Sequence, residues 1–305
     1  MARKMTPERQ KLRQDAIRIR QELGWSERTI ARHLAIDYRT IHRWLPRNNT
    51  HGAPHNKPLV PSNIYCMDCL EGLRRLPYNS VDLVFADPPY NIGVDYGNGN
   101  PTLDRHEKYW DWCLEWFTLV LRVLKPGGAF YALHYPEYCA EWLPRLQALR
   151  FTFQRWITWH YPTNVGQSPD NWTRSQRAIL FITKGGKPRT FNGLADPQPY
   201  RNPTDKRIQE NLKSRPGVVP YDVWEYNLVK NVSKEKQKNG PPNQLPEALL
   251  RRIILTSSNE GDLVVDLFSG NGTTSYVATH LNRKYIAFDI NPDYVMVAQA
   301  RITNG

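Results

Sequence analysis

An acidic residue, two prolines and an aromatic residue stand together in the motif DPPY, Asp87 to Tyr90, directly after the apolar run 81–86. The Asp87 carboxylate and the backbone carbonyl of Pro88 could each accept one hydrogen of an exocyclic amino group. The prolines restrict the backbone and would fix the position of that carbonyl. That orientation would aim the nitrogen lone pair at an electrophile. An aromatic ring could stack on a base taken out of a duplex. The motif is therefore a candidate catalytic site, and the candidate catalytic residues are Asp87, Pro88, Pro89 and Tyr90. The alternative is an ordinary proline-rich turn.

A second candidate site follows the apolar run 262–267, where the segment FSGNGTT occupies residues 268–274. Glycines between a strand and a helix allow backbone N–H groups and the helix N-terminus to approach a ligand closely. The next apolar run ends at Asp289, 23 residues after Asp266. A ribose-binding acid is expected at a spacing of about 20. The segment thus predicts a cofactor that contains a nucleoside, a feature that dinucleotide enzymes share.

The elements that must position both motifs alternate between strands and helices. Apolar runs predict strands at 81–86, 129–134, 262–267 and 284–288. Amphipathic segments predict helices at 110–124 and 275–281. Each motif follows the carboxyl end of a buried strand, which is the edge where open α/β sheets bind ligands. The predicted fold class is therefore α/β.

The two motifs together resemble the amino-methyltransferases of DNA, and their order, with DPPY first and FSGNGTT last, resembles the β class of that family. The resemblance covers roughly residues 61–302 and implies a Rossmann-like sheet flanked by helices. It also implies S-adenosylmethionine as the cofactor and an extruded DNA base as the substrate. The cofactor-binding residues that it implies are Asp68, Asp266, Phe268, Ser269, Gly270, Gly272, Thr273, Thr274 and Asp289. The chain departs from the family pattern at Leu245, Leu267 and Asn271, where Lys, Pro and Ser are common.

The family pattern also bears on the target base. Asp at the first position of DPPY favours the N6 amino group of adenine. Ser there would favour N4 of cytosine, which is kept as the alternative. The run 157–161 resembles a family strand whose aromatic residue helps to sandwich the base, which implies Trp159 or Tyr161, with core packing as the other interpretation. Arg177 stands where the family often has Glu.

The first 48 residues resemble a helix-turn-helix module. Helices are predicted over 8–23, 26–34 and 38–45, and Ala31 is the small residue that such a module needs where two helices touch. The third helix would expose side chains suited to phosphates and base edges. These side chains are Arg39, Thr40, His42 and Arg43. The alternative is a small helical bundle that binds protein.

The net charge of +12 is concentrated in two segments. Residues 1–60 carry 13 Lys and Arg against 5 Asp and Glu, and residues 150–240 carry 16 against 7. The remaining residues are net acidic. This distribution indicates two parts that face DNA and a core with another task. Five cations of the second segment are candidate contacts to phosphates or bases, with a solvated surface charge as the alternative for each of them: Arg201, Lys206, Arg207, Lys213 and Arg215.

We therefore predict three parts in the chain. Residues 1–48 form a helix-turn-helix domain, 49–60 a linker, and 61–305 a methyltransferase domain that contains the target-recognition region at 150–240. The expected partners are double-stranded DNA, a second copy of the chain and a cognate restriction endonuclease. Two alternatives remain open. One is a DNA-binding regulator with a degenerate enzymatic domain, and the other is methylation of RNA or of a protein side-chain amide.

Several classes of protein are disfavoured. No apolar stretch approaches the roughly 20 residues that span a bilayer, and no apolar segment follows the basic N-terminus as in a signal peptide. A cytoplasmic, nucleoid-associated protein without membrane contact is therefore expected. Four cysteines in 305 residues do not make a disulfide framework. Cys66 and Cys69 have a metal-like spacing, but no second Cys or His pair accompanies them, and we predict no metal.

Overall fold

The computed structural model describes residues 6–23, 30–31, 34, 36–45, 58–93, 108–162 and 169–304. The predicted helix at 26–34 and the predicted linker at 49–60 lie largely outside these ranges. No helix within them is both long enough and apolar enough to cross a membrane.

Eight strands and nine helices are described in these ranges. The strands are β1 (Asn63–Cys66), β2 (Val81–Ala86), β3 (Leu124–His134), β4 (Thr152–His160), β5 (Gln176–Thr183), β6 (Val223–Glu225), β7 (Leu263–Asp266) and β8 (Lys284–Asp289). The helices are α1 (Pro7–Leu23), α2 (Tyr38–Trp44), α3 (Cys69–Arg75), α4 (Tyr109–Val123), α5 (Pro136–Ala148), α6 (Lys206–Leu212), α7 (Glu247–Ser257), α8 (Thr273–His280) and α9 (Pro292–Asn304).

The strands form one sheet in the order β1-β8-β7-β2-β3-β5-β4-β6. Strands β1, β8, β7, β2 and β3 are parallel to one another. Strand β5 runs antiparallel to both β3 and β4. Strand β2 pairs with β7, and Phe85 lies opposite Asp266. The two motif-bearing strands are therefore adjacent in the sheet although they are distant in the sequence.

Helices cover both faces of this sheet. On one face α3, α4 and α5 pack through residues such as Leu73, Trp116 and Trp142. On the other face α7, α8 and α9 pack through residues such as Ile253 and Ala298. Every residue of β2 is buried, as expected of a central parallel strand with both faces covered.

Several predicted boundaries differ from the structure by one or two residues, and the start of strand β3 differs by five. Strand β3 begins at Leu124, directly after α4, and not at residue 129. The glycines of the segment KPGG continue the pairing: Lys184 N–H donates to the Gly128 carbonyl over 3.1 Å, and Gly127 N–H donates to the Lys184 carbonyl over 2.9 Å. Gly127 has a φ of +74°, a conformation that glycine adopts without strain. Glycine here bends a strand and does not separate two elements.

The N-terminal helices enclose a small core of their own. Ala16, Ile30, Ala31, Ile41 and Trp44 are buried together. Asp37 begins α2, because its carboxylate accepts hydrogen bonds from the backbone N–H groups at positions 39 and 40. Ala31 is therefore buried between helices, the position that a helix-turn-helix module requires of its small residue.

Candidate active site

Five site residues meet at one edge of the sheet because five adjacent parallel strands end there. Asp68 follows β1, Asp87 follows β2, and Asp266, Asp289 and His134 are the last residues of β7, β8 and β3. Four of these residues, all except His134, line a cavity of about 260 Å³. The carboxyl edge of the sheet thus holds the candidate site, as expected for this class of fold.

The turn after β7 is held by hydrogen bonds from its backbone to two aspartates of this cavity. Phe268 N–H donates to Asp266 over 3.0 Å, and Gly270 N–H donates to Asp289 over 2.8 Å. Gly272 has a φ of +69°, and a Cβ built there would lie 2.6 Å from the Ala298 Cβ. Glycine is therefore required at this position both by the turn and by the close approach of α9.

Nearly all of the predicted cofactor-binding residues line the cavity. Gly272 is the exception, and its part in the site is to allow the turn. Asp68 begins α3, and its carboxylate accepts the Leu70 N–H over 2.8 Å. Those that line the cavity are Asp68, Asp266, Phe268, Ser269, Gly270, Thr273, Thr274 and Asp289.

The cavity is acidic. Four aspartates line it, and no Lys or Arg stands among the lining residues in the described ranges. Burial, together with the charge of Asp289, raises the pKa of Asp266 to about 6. Burial and the charge of Asp266 raise the pKa of Asp87 to about 7, against the opposing effects of Tyr90 and Arg177. A cationic ligand would relieve the repulsion among these carboxylates.

Three buried polar atoms at the cavity have no hydrogen-bond partner. They are Asp87 Oδ1, Ser269 Oγ and Asn271 Oδ1. A buried polar atom without a partner costs about 1–3 kcal/mol, so such atoms indicate a place where a ligand completes the bonding. A sulfonium cofactor with an ammonium group and ribose hydroxyls matches the acidic lining and the unpaired atoms of Ser269 and Asn271. The residues present therefore fit S-adenosylmethionine.

The DPPY loop is held tightly against the sheet edge. The Tyr90 hydroxyl hydrogen-bonds the Asp87 carboxylate. The Tyr90 ring lies 4.6 Å from the His134 ring and 4.9 Å from the Tyr135 ring, measured between centroids. Only 7% of Tyr90 is exposed. The loop thus presents Asp87 to the cavity with its carboxylate anchored through one oxygen and its other oxygen unpaired.

Arg177 is a residue of this site whose role the sequence left open. Its guanidinium lies 4.2 Å from the Tyr135 ring centroid and 5.3 Å from the Tyr90 ring centroid, and it donates to the Tyr161 hydroxyl. Such contacts are favourable cation–π interactions. The positive charge also lowers the pKa of Asp87. Arg177 thus connects the aromatic residues around the DPPY loop.

The two residues predicted to sandwich the target base are in the core. Trp159 and Tyr161 are each 2% exposed and do not line the cavity. Trp159 Nε1 donates to the Tyr226 carbonyl over 2.8 Å, and the Tyr161 hydroxyl donates to the Gln176 carbonyl over 3.1 Å. In this conformation both residues pack in the core, which is the other interpretation. Their contact with a base stays a prediction.

The predicted DNA contacts are mostly on the surface. Arg39, Arg43, Arg201, Lys206 and Arg207 are exposed. Thr40 is half-buried, and the His42 side chain lies outside the described residues. Arg39 and Arg43 stand four residues apart on α2, so they share one helix face. That face is exposed, and its contact with DNA stays a prediction.

Sequence reasoning missed two residues that support the cofactor turn. Arg301, on α9, donates to the Asn271 carbonyl over 3.1 Å and to Thr273 Oγ1 over 2.9 Å. It also pairs with Glu247 at 2.6 Å. Trp112, on α4, lines the cavity 5.6 Å from the Phe268 ring. No local motif marks either residue, because both reach the site through tertiary packing.

No group of three or more His, Cys, Asp or Glu able to hold a metal ion occurs among the described residues. Cys69 is buried, and burial raises the pKa of its thiol well above the ordinary value. A thiol held protonated is a poor metal ligand.

The fold and the cavity define a class of protein: an α/β enzyme with an acidic site for a cationic nucleoside cofactor beside an Asp-Pro-Pro-Tyr loop. Residues 81–300 match the family of DNA methylases, and residues 7–57 match a homeodomain-like domain. The chain belongs to the DNA methylase family.

Relatives agree with this assignment. The chain is 38% identical over 248 residues to the type II methyltransferase M.HpaI of Haemophilus parainfluenzae, covering 80% of this chain and 74% of that protein. It is 35% identical over 240 residues to the DNA adenine methyltransferase YhdJ of Escherichia coli, covering 77% and 80%. A crystal structure of the M1.HpyAVI–SAM complex superposes with a TM-score of 0.58 at 20% identity, covering 79% and 98%, and shows the fold alone.

These matches confirm the main predictions made from the sequence. The family, the methyltransferase fold with an N-terminal helix-turn-helix-like module, DNA methyltransferase activity and S-adenosylmethionine as the cofactor are all confirmed. DNA is the substrate of this family. The individual site residues and the domain boundaries stay predictions.

Proposed function

We propose that this chain methylates the N6 amino group of an adenine that it extrudes from double-stranded DNA at a specific sequence. The observation that carries the proposal is the buried, unpaired Oδ1 atom of Asp87 in the acidic cavity. The relative YhdJ is named as a DNA adenine methyltransferase, which supports adenine as the target.

In this proposal Asp87 and Pro88 orient the reacting nitrogen. Asp87 Oδ1 accepts one amino hydrogen and the Pro88 carbonyl accepts the other, so that the nitrogen lone pair points toward the methyl group. When bound, S-adenosylmethionine supplies an electrophilic methyl group on its sulfonium. After transfer the nitrogen carries an extra proton, and Asp87, with a pKa of about 7, can take it at Oδ1.

The remaining residues of the loop restrict its motion. Pro88 and Pro89 fix two backbone φ angles and have no N–H group. Tyr90 provides the ring on which we propose that the extruded base stacks. Since the ring already packs against His134 and Tyr135, the base would have to meet the part of Tyr90 that lines the cavity.

We assign the cofactor's parts by chemistry. Asp289 holds the ribose hydroxyls, and Asp68 contacts the adenine edge. Asp266, Ser269, Thr273 and Thr274 surround the amino-acid end. Gly270 and Gly272 allow the backbone to approach, and Phe268 contributes an apolar wall. The cavity lining supports these roles for all of these residues except Gly272, which allows the turn.

We propose that DNA is bound by cations from two parts of the chain. Arg39 and Arg43 are exposed on α2, and Arg201, Lys206 and Arg207 are exposed in or near α6. Thr40 and His42 would add contacts to base edges. Trp159 and Tyr161 would form the wall behind the base pocket. We therefore propose that residues 1–48 form a DNA-binding domain and that residues 150–240 contain the target-recognition region.

The choice between adenine and cytosine has a direct test. DNA methylated by the purified chain would be digested to nucleosides and analysed by mass spectrometry. We expect N6-methyladenine. N4-methylcytosine without N6-methyladenine would reject adenine and establish the alternative target. Labelled methyl transfer to neither base would favour a regulator whose methyltransferase domain is degenerate.

Replacing Asp87 tests the catalytic assignment. Asp87→Ala removes one of the two acceptors for the amino hydrogens, and we expect kcat to fall by at least about 100-fold, the scale for loss of one oriented polar group. Cofactor affinity, measured by calorimetry, should stay within about threefold of the wild-type value because most cofactor contacts remain. A fully active Asp87→Ala protein would show that another group orients the nitrogen.

We further propose a restriction–modification setting with a homodimeric enzyme. The relative M.HpaI is named as a type II methyltransferase, and a cognate endonuclease would share its recognition sequence with this chain. A chromosomal substrate implies a cytoplasmic, nucleoid-associated location. Sequencing of DNA from a host that expresses the chain, with detection of modified bases, gives the recognition sequence. Sedimentation of the purified protein gives its oligomeric state.

A further inference from the structure

A buried chain of hydrogen bonds lies behind the DPPY loop. The Tyr109 hydroxyl is 3.0 Å from the Pro89 carbonyl oxygen and 3.1 Å from His134 Nε2. His134 Nδ1 accepts the Tyr135 backbone N–H over 2.7 Å. Tyr109 is the first residue of α4, and His134 is the last residue of β3. Neither residue lines the cofactor cavity.

These contacts permit one arrangement of protons. The Pro89 carbonyl can only accept, so the Tyr109 hydroxyl donates to it. The hydroxyl hydrogen is then used, and His134 Nε2 must donate to the Tyr109 oxygen. His134 Nδ1 accepts from Tyr135 N–H and therefore carries no proton. The imidazole is neutral, with its proton on Nε2.

The surroundings of His134 agree with a neutral ring. The residue is fully buried. Burial, together with the charges of Arg177 and Arg174, lowers its pKa to about 3. A second proton on Nδ1 would also face the Tyr135 N–H donor. His134 therefore donates to Tyr109, and Tyr109 donates to the Pro89 carbonyl, throughout the pH range in which the enzyme would work.

The loop depends on this contact because its two prolines have no N–H groups to donate. The carbonyl of Pro89 belongs to the peptide group that precedes Tyr90, so holding that oxygen sets the direction of the Tyr90 backbone. The ring of His134 also packs 4.6 Å from the ring of Tyr90. His134 thus restrains Tyr90 twice, through the Tyr109 hydroxyl and by direct packing.

Strand register explains why this histidine reaches the loop. Ala86, the last residue of β2, lies opposite Ala132 of β3. Two further residues along each parallel strand place His134 level with the DPPY loop. The start of α4 adds Tyr109 between them.

We propose that Tyr109 and His134 are positioning residues for methyl transfer, which hold the Pro89 carbonyl and the Tyr90 ring and thereby orient Asp87 and the Pro88 carbonyl toward the amino group. They do not touch the base or the cofactor. This inference rests on the proposed function and adds to it a fixed polar support beneath the catalytic loop.

Tyr109→Phe tests the chain of hydrogen bonds with the smallest change in side-chain shape. It removes one hydroxyl and leaves the Pro89 carbonyl and His134 Nε2 without their shared partner. We expect kcat to fall by about 10- to 100-fold, the scale for misplacing a reacting group by up to 1 Å. The dissociation constants for the cofactor and for duplex DNA should stay within about twofold of wild type, since the residue contacts neither.

Tyr138→Phe is the matched control. Tyr138 stacks on His134, with centroids 4.1 Å apart, and its ring remains after the substitution. The same change of Tyr to Phe then lies beside the same histidine but outside the hydrogen-bond chain. We expect kcat within about twofold of wild type.

Two variants of His134 separate donation from packing. His134→Gln keeps an N–H donor near the position of Nε2, whereas His134→Leu keeps bulk without a donor. We expect the Gln variant to retain several-fold more activity than the Leu variant. Melting temperatures of both identify any general loss of folding.

The outcomes are distinct. Wild-type protein that forms no N6-methyladenine contradicts the proposed function itself. Active wild type with a Tyr109→Phe variant of equal kcat contradicts only the positioning role. A Tyr109→Phe variant that loses cofactor affinity and thermal stability in parallel with kcat also contradicts it, because that pattern reports a structural defect.

Discussion

At the scale of single residues, the site depends on a carboxylate whose surroundings disfavour its charged form. Asp87 is half-buried, has a buried oxygen without a hydrogen-bond partner and has a pKa raised to about 7. Arg177 and the Tyr90 hydroxyl oppose that rise. A carboxylate poised near neutral pH can both accept an amino hydrogen and receive the proton released by methylation. Burial disfavours the charged form of Asp87, and the same burial raises its pKa into the range that proton transfer near neutral pH requires.

Arg177→Met tests the electrostatic part of this balance. Loss of the guanidinium charge raises the pKa of Asp87, so the ionised fraction falls at any pH near 7. We expect the acidic limb of the pH profile of kcat/KM to move to higher pH. The activity deficit should be large at pH 6.5 and small at pH 8.5.

Arg177→Lys is the control for this experiment, because it keeps the charge and loses the planar stacking group. It should shift the acidic limb less than Arg177→Met does. A Met variant whose deficit is the same at both pH values would show that Arg177 acts only through packing.

Cofactor binding should depend on pH for the same reason. The folded pKa of Asp266, about 6, means that this group binds a proton more tightly than an exposed carboxylate does. A bound cationic cofactor favours its ionised form. We expect affinity for S-adenosylmethionine to rise as pH rises from 5.5 to 7.5, with proton release detected by calorimetry in buffers of different ionisation enthalpy.

S-adenosylhomocysteine provides the matched ligand, since it has a neutral thioether in place of the sulfonium. Its affinity should change less over the same pH interval. An identical pH dependence for both ligands would place the effect elsewhere than at the sulfonium.

At the scale of elements, the cofactor turn is held from outside by the last helix. Arg301 of α9 has a side chain only 3% exposed, pairs with Glu247 of α7, and donates to the Asn271 carbonyl. The same helix approaches Gly272 so closely that a Cβ there would collide with Ala298. One helix thus sets both the backbone path and the polar support of the turn.

Arg301→Met should therefore weaken two properties together. It leaves Glu247 and Thr273 without a cation in a largely buried setting, so we expect the free energy of unfolding to fall by about 2 kcal/mol. The dissociation constant for S-adenosylmethionine should rise several-fold because the turn loses its clamp. Thermal denaturation and calorimetry measure the two effects.

Lys213→Met is the comparison variant. Lys213 pairs with Glu210 on α6, and both side chains are more than 70% exposed. Loss of such a pair should cost less than about 1 kcal/mol and leave cofactor affinity unchanged. Wild-type cofactor affinity in the Arg301→Met protein would show that the turn keeps its shape without the clamp.

At the scale of the whole molecule, charge and chemistry are separated. The cavity is lined by aspartates, whereas the excess of Lys and Arg lies in residues 1–60 and 150–240. Basic surfaces attract the phosphate backbone, and the acidic cavity suits a cationic cofactor. This separation lets one chain bind two ligands of opposite charge without competition between their sites.

The double variant Arg39→Ala/Arg43→Ala tests the N-terminal contribution. If each arginine neutralises one phosphate, the slope of log affinity against log salt should decrease in magnitude by about 2. Duplex binding should weaken at low salt, as measured by fluorescence anisotropy. Methyl transfer at saturating DNA should be retained, because the catalytic residues are untouched.

Arg9→Ala/Arg13→Ala removes the same charge from the exposed side of α1. We expect a smaller change in the salt slope, since α2 is the helix proposed to face DNA. Equal slopes for the two double variants would indicate a nonspecific charge effect in place of a defined interface.

Local sequence was sufficient to predict where the catalytic and cofactor motifs lie. Glycines between a strand and a helix are also typical of dinucleotide enzymes, so the interpretation depended on the combination of DPPY with FSGNGTT and on their order along the chain. Strand periodicity then indicated an α/β sheet with both motifs at carboxyl ends. Charge counting identified the two segments that are predicted to face DNA, because net charge is a sum that needs no coordinates.

Tertiary structure alone decided what surrounds those motifs. The adjacency of β2 and β7, the cation of Arg177 among the aromatic rings, the Tyr109–His134 support and the Arg301 clamp all join residues far apart in the chain. It also placed Trp159 and Tyr161 in the core. Contacts of this kind depend on strand order, register and helix packing. A local pattern of residue types records none of these.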